Sequence, residues 1–220
     1  MTRSVDLLSL GRELQSIAQA GLTYGSDPYD LGRYARLRDL AADLLAAGVP
    51  AEVAPSVRTG VAEESGYLTP KVDLRAAVRR ADGALLMVRE RVDGGWTMPG
   101  GWADVDESVA EGAVREVAEE AGVAVRARGL LGLYERERRG HPPIAWHCLK
   151  AVVACEPVGG GEPAEPVADG VEVSEAAWFA PDSARGLALS AGRTSPWLLD
   201  RVLRRLADPW PPAGLTADLD

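Results

Sequence analysis

The sequence predicts an α+β protein: a small all-helical domain, then a mixed sheet sandwiched with helices. Three observations predict it. Leucines at helical spacing fill the first 66 residues, β-like apolar runs alternate with helices from about residue 71, and between those runs lies a glycine-flanked amphipathic helix rich in glutamate. The 220 residues suffice for one domain or for a small one with a larger one. They divide into 1–66 (helical), 67–207 (α+β) and 208–220 (a flexible C-terminal tail).

In chain order, Leu7, Leu8, Leu10, Leu14 and Ile17 predict a helix over about 4–20, broken by Gly21 and Gly25. Asp27-Pro28 starts a second, with Asp as cap and Pro in the first turn. Its apolar stripe is Leu31, Tyr34, Leu37, Leu40, Leu44 and Leu45, and Gly48-Val49-Pro50 ends it. A third, shorter helix is expected over about 55–65. Three such helices bury little surface alone, so this domain is expected to pack on the second domain or on another subunit. Val72, Leu74 and Ala76 alternate with Asp73 and Arg75, as in a strand. Ala81-Asp82-Gly83 is a turn, Ala84 to Val88 a buried strand, and Asp93-Gly94-Gly95 a turn before Trp96. Strands are expected from Val123 to Tyr134 and from Ile144 to Cys155, separated by the charged loop Glu135 to Gly140. Pro157 to Gly170 reads as a loop, Val171 to Phe179 as a strand, Pro181 as the start of a short helix, and Pro196 to Leu206 as the last helix.

The central stretch, GWADVDESVAEGAVREVAEEAGV from Gly101 to Val123, organises the rest. Met98-Pro99-Gly100-Gly101 forms a tight turn, because glycine adopts angles other residues avoid. Asp106 or Ser108 caps the helix, Ala110, Val114, Val117 and Ala121 give an apolar face, and Gly122 stops it. Glu116, Glu119 and Glu120 lie at i, i+3 and i+4, where like charges repel. Such crowding suits a hard divalent cation, which takes carboxylate oxygens and keeps several waters. Glu107, roughly two to three turns earlier, is able to join the cluster, and Arg115 to hold a carboxylate through a fork of hydrogen bonds.

This stretch resembles the Nudix box, G-x5-E-x7-R-E-U-x-E-E-x-G-U with U a bulky apolar residue. Gly101, Glu107, Arg115, Glu116, Val117, Glu119, Glu120, Gly122 and Val123 match every position. At ordinary residue usage the seven fixed identities coincide by chance about once in 10^8 windows. The resemblance implies a Nudix-type α/β/α sandwich and hydrolysis of a nucleoside diphosphate linked to a group X, with Mg2+ (or Mn2+) as cofactor. It assigns Glu116, Glu119, Glu120, Gly101 (through its carbonyl) and Glu107 to the metal. Glu116, Glu119 and Arg115 become the catalytic set, with Glu116 a ligand or the base. ELQSIAQAGLTYGSDPYDLGRYARLRDLAADL, GYLTPKVDLRAAV, PGGWADV and HPPIAWHCLKAVVACEPVGG are also similar to a Nudix subgroup with a helical N-terminal domain. That subgroup includes CDP-choline pyrophosphatases and many ADP-ribose pyrophosphatases. CDP-choline is therefore the first expected substrate and ADP-ribose the second, with a non-catalytic nucleotide sensor a distant third.

Outside the box, Lys71 and Arg75 are candidates for phosphate or base contact, Tyr67 for stacking on a base with Tyr24, Tyr29 or Trp96, and His141 for phosphate. Glu172 or Glu175 is a further candidate carboxylate. Lys150 lies in an apolar strand, where an unpaired charge is costly, so it is expected to face solvent or a pocket. A net charge of −9 disfavours nucleic acid as a partner and suits a small nucleotide held through metal. No apolar run reaches membrane-spanning length and MTRSVDLLSL lacks a signal-peptide pattern. Cys148 and Cys155 fall seven residues apart in one strand, facing opposite ways, so no disulfide is expected. A cytoplasmic homodimer is the resulting expectation.

Overall fold

The computed structural model describes residues 6–159 and 165–207. The expected tail at 208–220 and part of the 157–170 loop lie outside the described residues. The chain forms two compact units, Met1–Pro70 with Pro143–His147, and Lys71–Pro142 with Cys148–Asp220.

In the first unit, α1 (Leu7–Tyr24), α2 (Pro28–Ala47) and α3 (Ala54–Glu63) follow one another. The Asp6 side chain accepts from the Leu8 N–H, and Asp27 from Tyr29 and Asp30 with Pro28 in the first turn; such caps satisfy the free N–H groups of a helix start. Contrary to expectation, α1 continues through Gly21. A Cβ there would fall 2.4 Å from the Tyr34 ring on α2, so this glycine admits a neighbouring aromatic ring rather than ending the helix. Leu8, Ala42, Leu45, Val57 and Val61 form the core with Ala145, and Trp146 packs against it. Arg12 donates to the carbonyls of Ile144 and Trp146 at 3.1 and 3.4 Å. The segment Ile144–His147 is therefore no strand: Pro142 and Pro143 lack N–H groups for a ladder, and the carbonyls are taken by α1. Away from this core, Leu7, Leu10, Leu14, Ile17, Gly21 and Tyr24 run along α1 at alternating spacings of three and four, all exposed or half-buried, with Ile17 50% and Tyr24 74% exposed.

The second unit starts with β1 (Lys71–Val78), β2 (Leu85–Glu90), β3 (Trp96–Thr97) and α4 (Val109–Ala121). It continues with β4 (Val125–Glu135), a 3-10 turn over Glu137–Arg139, β5 (Cys148–Pro157), β6 (Val173–Phe179), α5 (Pro181–Arg185) and α6 (Pro196–Ala207). One sheet has the order β1-β5-β4, with β1 parallel and β4 antiparallel to β5. The stretch 99–103 lines the free edge of β1 through hydrogen bonds from Leu74 N to Gly101 O and from Ala76 N to Pro99 O, 2.7 and 2.8 Å long. The other sheet, β3-β2-β6, is antiparallel.

Strand alternation sorts β1 into two faces. Ala76 and Val78 pack with Ala113, Val117 and Ala121 of α4. Ala77 joins Val152, Leu198, Leu199 and Val202 under α6. Helices thus cover both sides of the sheet layer, as the α/β/α sandwich requires. Asp73 and Arg75 share the Ala77 side of the strand. Cys148 and Cys155 are both buried and unbridged.

Candidate active site

The glycine loop is built by close approach. Gly100 has φ +143°, and a Cβ on it would lie 2.1 Å from the Leu74 carbonyl oxygen on β1. No L side chain fits there. A Cβ on Gly101 would fall 2.8 Å from Oε1 of Glu116, so the missing side chain is what lets a carboxylate reach the loop. Ser108, not Asp106, caps α4, and it forms a capping box with Glu111 that the box pattern does not include. Gly122 closes the helix in the left-handed conformation.

The box carboxylates divide. Glu116 and Glu120 turn inward with Ala113, Val117 and Ala121, while the Glu119 side chain stays 60% exposed. Glu120 accepts from the Gly100 N–H at 2.9 Å. Burial, opposed by that bond and by Arg75, pushes its carboxyl up to about 7. Burial also raises Glu116, beyond what Arg115 restores. Arg115 gathers the rest: it donates to both oxygens of Glu107 (2.9 and 3.0 Å), to Glu116 (3.1 Å) and to Glu119 (2.9 Å), with Asp104 at 3.4 Å. Hydrogen bonding to Glu107 leads the effects that raise its pKa. Among the described residues no three carboxylate, imidazole or thiol groups are gathered ready to close on a metal, and Arg115 holds Glu107, Glu116 and Glu119 to itself. The donor set nonetheless fits Mg2+ or Mn2+. Two buried carboxylates with raised pKa lie beside a glycine loop, Glu120 with only a backbone N–H as its hydrogen-bond donor, and oxygen-only ligands are what hard cations take.

Arg75 is not placed for the phosphate or base contact expected of it. It is fully buried, donating to both oxygens of Asp73 (2.9 and 3.0 Å) and to the Met98 carbonyl (3.2 Å). Lys150 faces neither solvent nor an unpaired pocket. It is buried and donates to Asp73 at 2.8 Å. Burial alone would raise the Asp73 carboxyl, but Arg75 and then Lys150 outweigh it and hold it low. The signal for this cluster was the alternation Val72, Leu74, Ala76, which sends Asp73 and Arg75 to one face. Their partner lies 75 or more residues away, beyond the reach of local pattern. Arg75 anchors the residue just before the glycine loop, so it serves the carboxylate site from behind.

The other candidates are spread out. Tyr67 is exposed and its ring lies 6.4 Å from that of Tyr24. Lys71 opens β1, exposed. Trp96 packs edge-on against Phe179, in the core beneath α6. Glu175 pairs with Arg89 at 2.6 Å on the second sheet and is exposed. Glu172 is exposed, and the structured carboxylate of its loop is Asp169, which accepts from the N–H groups of Val171, Glu172 and Val173. His141 is buried, its Nδ1 3.0 Å from the Ala191 carbonyl.

A glutamate helix laid against a glycine loop on a mixed sheet is the arrangement that the resemblance implies for a pyrophosphohydrolase. Residues 69–198 match the NUDIX domain, and the chain belongs to the Nudix family. Residues 5–54 match a domain described as UDP-X-like, N-terminal oligomerisation domain. A Bacillus subtilis (strain 168) protein, YjhB, provisionally named an ADP-ribose pyrophosphatase, is 36% identical over 205 residues, 92% of this chain and 93% of its own. The crystal structure of an ADP-ribose pyrophosphatase from Streptococcus suis 89-1591 is 32% identical, with a TM-score of 0.52 over 64% of this chain and 95% of that one. The crystal structure of a UDP-X diphosphatase is alike in fold over 92% of this chain and 94% of its own, with a TM-score of 0.54 and 24% identity.

Proposed function

We propose that the chain hydrolyses the pyrophosphate of ADP-ribose to AMP and ribose 5-phosphate, using Mg2+ or Mn2+. The carrying observation is the pair Glu116 and Glu120, buried against a loop that only glycine can form. Glu116, Glu119, Glu120 and the Gly101 carbonyl are the groups that would hold the metal. When bound, the metal neutralises phosphate oxygens and the leaving phosphate. The chain's own residues do the rest. Gly100 N–H fixes one Glu120 oxygen and so aims the other. Arg115 hands Glu116 and Glu119 over while keeping Glu107, which makes Glu107 the anchor of Arg115 and only a remote ligand. Glu116 is either a ligand or the base; as the base it would accept the proton of the attacking water.

The choice of substrate rests on the names of the Bacillus subtilis and Streptococcus suis relatives, which favour ADP-ribose over the CDP-choline expected first. The test is incubation with Mg2+ or Mn2+ and a panel of ADP-ribose, CDP-choline, other nucleotide sugars and nucleoside triphosphates. Release of AMP with ribose 5-phosphate is the expected result. Selective release of CMP restores CDP-choline, and no turnover of any substrate overturns the reading.

The chain is further proposed to be a cytoplasmic homodimer. The description of the N-terminal family domain and the exposed stripe on α1 support the dimer, and the two unbridged cysteines suit a reducing compartment. No described helix is long and apolar enough to cross a membrane. Sedimentation at the mass of a single chain would sink the dimer.

A further inference from the structure

Met98 is the residue at which the chain passes from one sheet to the other. Trp96 and Thr97 form β3 on the antiparallel sheet, while the carbonyls of Pro99 and Gly101 accept from Ala76 and Leu74 on the edge of β1. The outer edge of β3 is paired first by backbone. Trp96 N–H donates to the Ala188 carbonyl at 2.8 Å, and Ser190 N–H to the Trp96 carbonyl at 2.9 Å. Strand N–H groups alternate in direction, so the Met98 N–H points to the same outer edge. What meets it there is a side chain, Thr194, whose Oγ1 accepts at 3.4 Å.

The hydroxyls around Met98 run in one direction. Thr97 Oγ1 donates to the Met98 carbonyl at 3.1 Å and lies 2.8 Å from Thr194 Oγ1. A hydroxyl has one hydrogen, and that of Thr97 is spent on the carbonyl, so Thr194 is the donor between the two. Thr194 therefore gives its hydrogen to Thr97 and accepts that of the Met98 N–H. Arg75 donates to the same Met98 carbonyl at 3.2 Å. Thr97 and Thr194 are both fully buried, where an unpaired hydroxyl or N–H is costly. Thr194 is itself held: its N–H donates to the Ser190 carbonyl at 2.8 Å, and buried Ser190 donates its hydroxyl to Asp93 at 2.8 Å. A Cβ on Gly95 would fall 2.4 Å from the Ser190 nitrogen, so the turn over 190–194 lies directly on the backbone that enters β3.

We propose that Thr194 is a positioning residue for the glycine loop of the active site. It acts through Met98. With its N–H and its carbonyl both fixed, the residue between the sheets has one orientation. That orientation sets the Gly100 N–H that holds Glu120, and the bare Gly101 backbone that Glu116 approaches. Arg75 anchors Met98 by charge from the β1 side, and Thr194 anchors it by a neutral relay from the segment that leads into α6. The loop that presents two box carboxylates is thereby clasped by a residue far beyond the box. This inference rests on the hydrolase reading above and adds to it a residue that orders the metal site.

The test is a pair of substitutions. Thr194→Val keeps the shape of the side chain and removes the relay, whereas Thr194→Ser keeps the hydroxyl. Thr194→Val should weaken Mn2+ binding about tenfold by electron paramagnetic resonance, the low end for a group that orients metal ligands, and lower kcat for ADP-ribose with it. Thr194→Ser should behave as the unmutated protein. Unchanged Mn2+ affinity in Thr194→Val, or an equal loss in Thr194→Ser, overturns the proposal. Amide hydrogen exchange in the metal-free protein separates positioning from general loosening. The Gly100 amide should exchange about tenfold faster in Thr194→Val, as a local opening, with Val117 and Ala121 of α4 unchanged. Equal acceleration along α4 would make the role structural only and overturns the positioning. If Thr194→Val does not fold, Thr97→Val breaks the same relay while leaving the Met98 N–H its acceptor; faster Gly100 exchange is expected there too, and an unchanged rate overturns the proposal. If the unmutated protein binds no Mn2+, the hydrolase reading fails on its own, while Gly100 exchange still decides whether Thr194 holds the loop.

Discussion

The sheet unit carries two charged centres, and they are held in opposite ways. At α4, Arg115 bridges Glu107, Glu116 and Glu119 at the solvent edge, where its side chain is 28% exposed. At β1 and β5, Asp73, Arg75 and Lys150 are locked inside, with Arg75 and Lys150 at 0% exposure. On the proposed reading, the first centre is a set of ligands kept in order by a removable cation. The second is permanent, because separating buried partners leaves an uncompensated charge in low dielectric. One centre is built to exchange its partner, the other to hold the loop that the first depends on.

Substitutions break this contrast most sharply at the exchangeable centre. Glu119→Gln or Glu120→Gln should lower kcat by roughly a thousandfold, the scale seen when charge stabilisation is lost at a reacting centre, with the urea midpoint unchanged for the exposed Glu119. Wild-type turnover in both would remove them from the metal site. At the buried centre the damage should fall on stability. Asp73→Ala strands Arg75 and Lys150 and is expected to cost about 3–5 kcal/mol in urea unfolding; a loss under 1 kcal/mol would mean that the pair is not buried as described.

Arg115→Ala sits between these, because on the proposed reading Arg115 orients ligands without binding metal. A fall of roughly 10–100-fold in activity is expected, with stability nearly intact; an unchanged rate refutes the orienting role. Acidity sharpens the same point. The folded pKa of Glu120 is raised from 4.5 to about 7. Without metal, the protonated side chain therefore favours the fold below pH 4.5, and that contribution is lost as pH rises through about 7. Metal needs the ionised form, so Mn2+ affinity should climb between pH 5 and 7 and level off above. A flat profile by electron paramagnetic resonance would contradict the burial of this carboxylate. The smallest effect belongs to the cap: Ser108→Ala should lower stability by about 1 kcal/mol, measured by urea denaturation.

How much of this was legible follows from where the parts lie in the chain. The glutamate helix, its glycine loop and its stop sit within one stretch of sequence, so spacing alone revealed them. The N-terminal cap of α2 was readable for the same reason. Local pattern erred where a distant partner decided the outcome. Gly21 reads as a helix breaker until Tyr34 is seen against it. Ile144–His147 reads as strand until Arg12 takes its carbonyls. Arg75 reads as a phosphate or base contact, and Lys150 as a dilemma, because Asp73 satisfies both, Lys150 across strands that meet only in the fold. The inward turn of Glu116 and Glu120 was equally hidden, since helical spacing groups them with Glu119 but does not say which of the three dips beneath the loop.

One further property follows from the two unbridged cysteines. Burial raises both thiols, and pushes that of Cys155 up to about 12, so neither supplies much thiolate at neutral pH, and thiolate is the species that alkylating dyes attack. The folded protein is thus a quiet background for maleimide chemistry. A single cysteine introduced at exposed Tyr24 or Tyr29 would take a fluorophore almost alone, giving an optical ruler for subunit association without first removing a native residue.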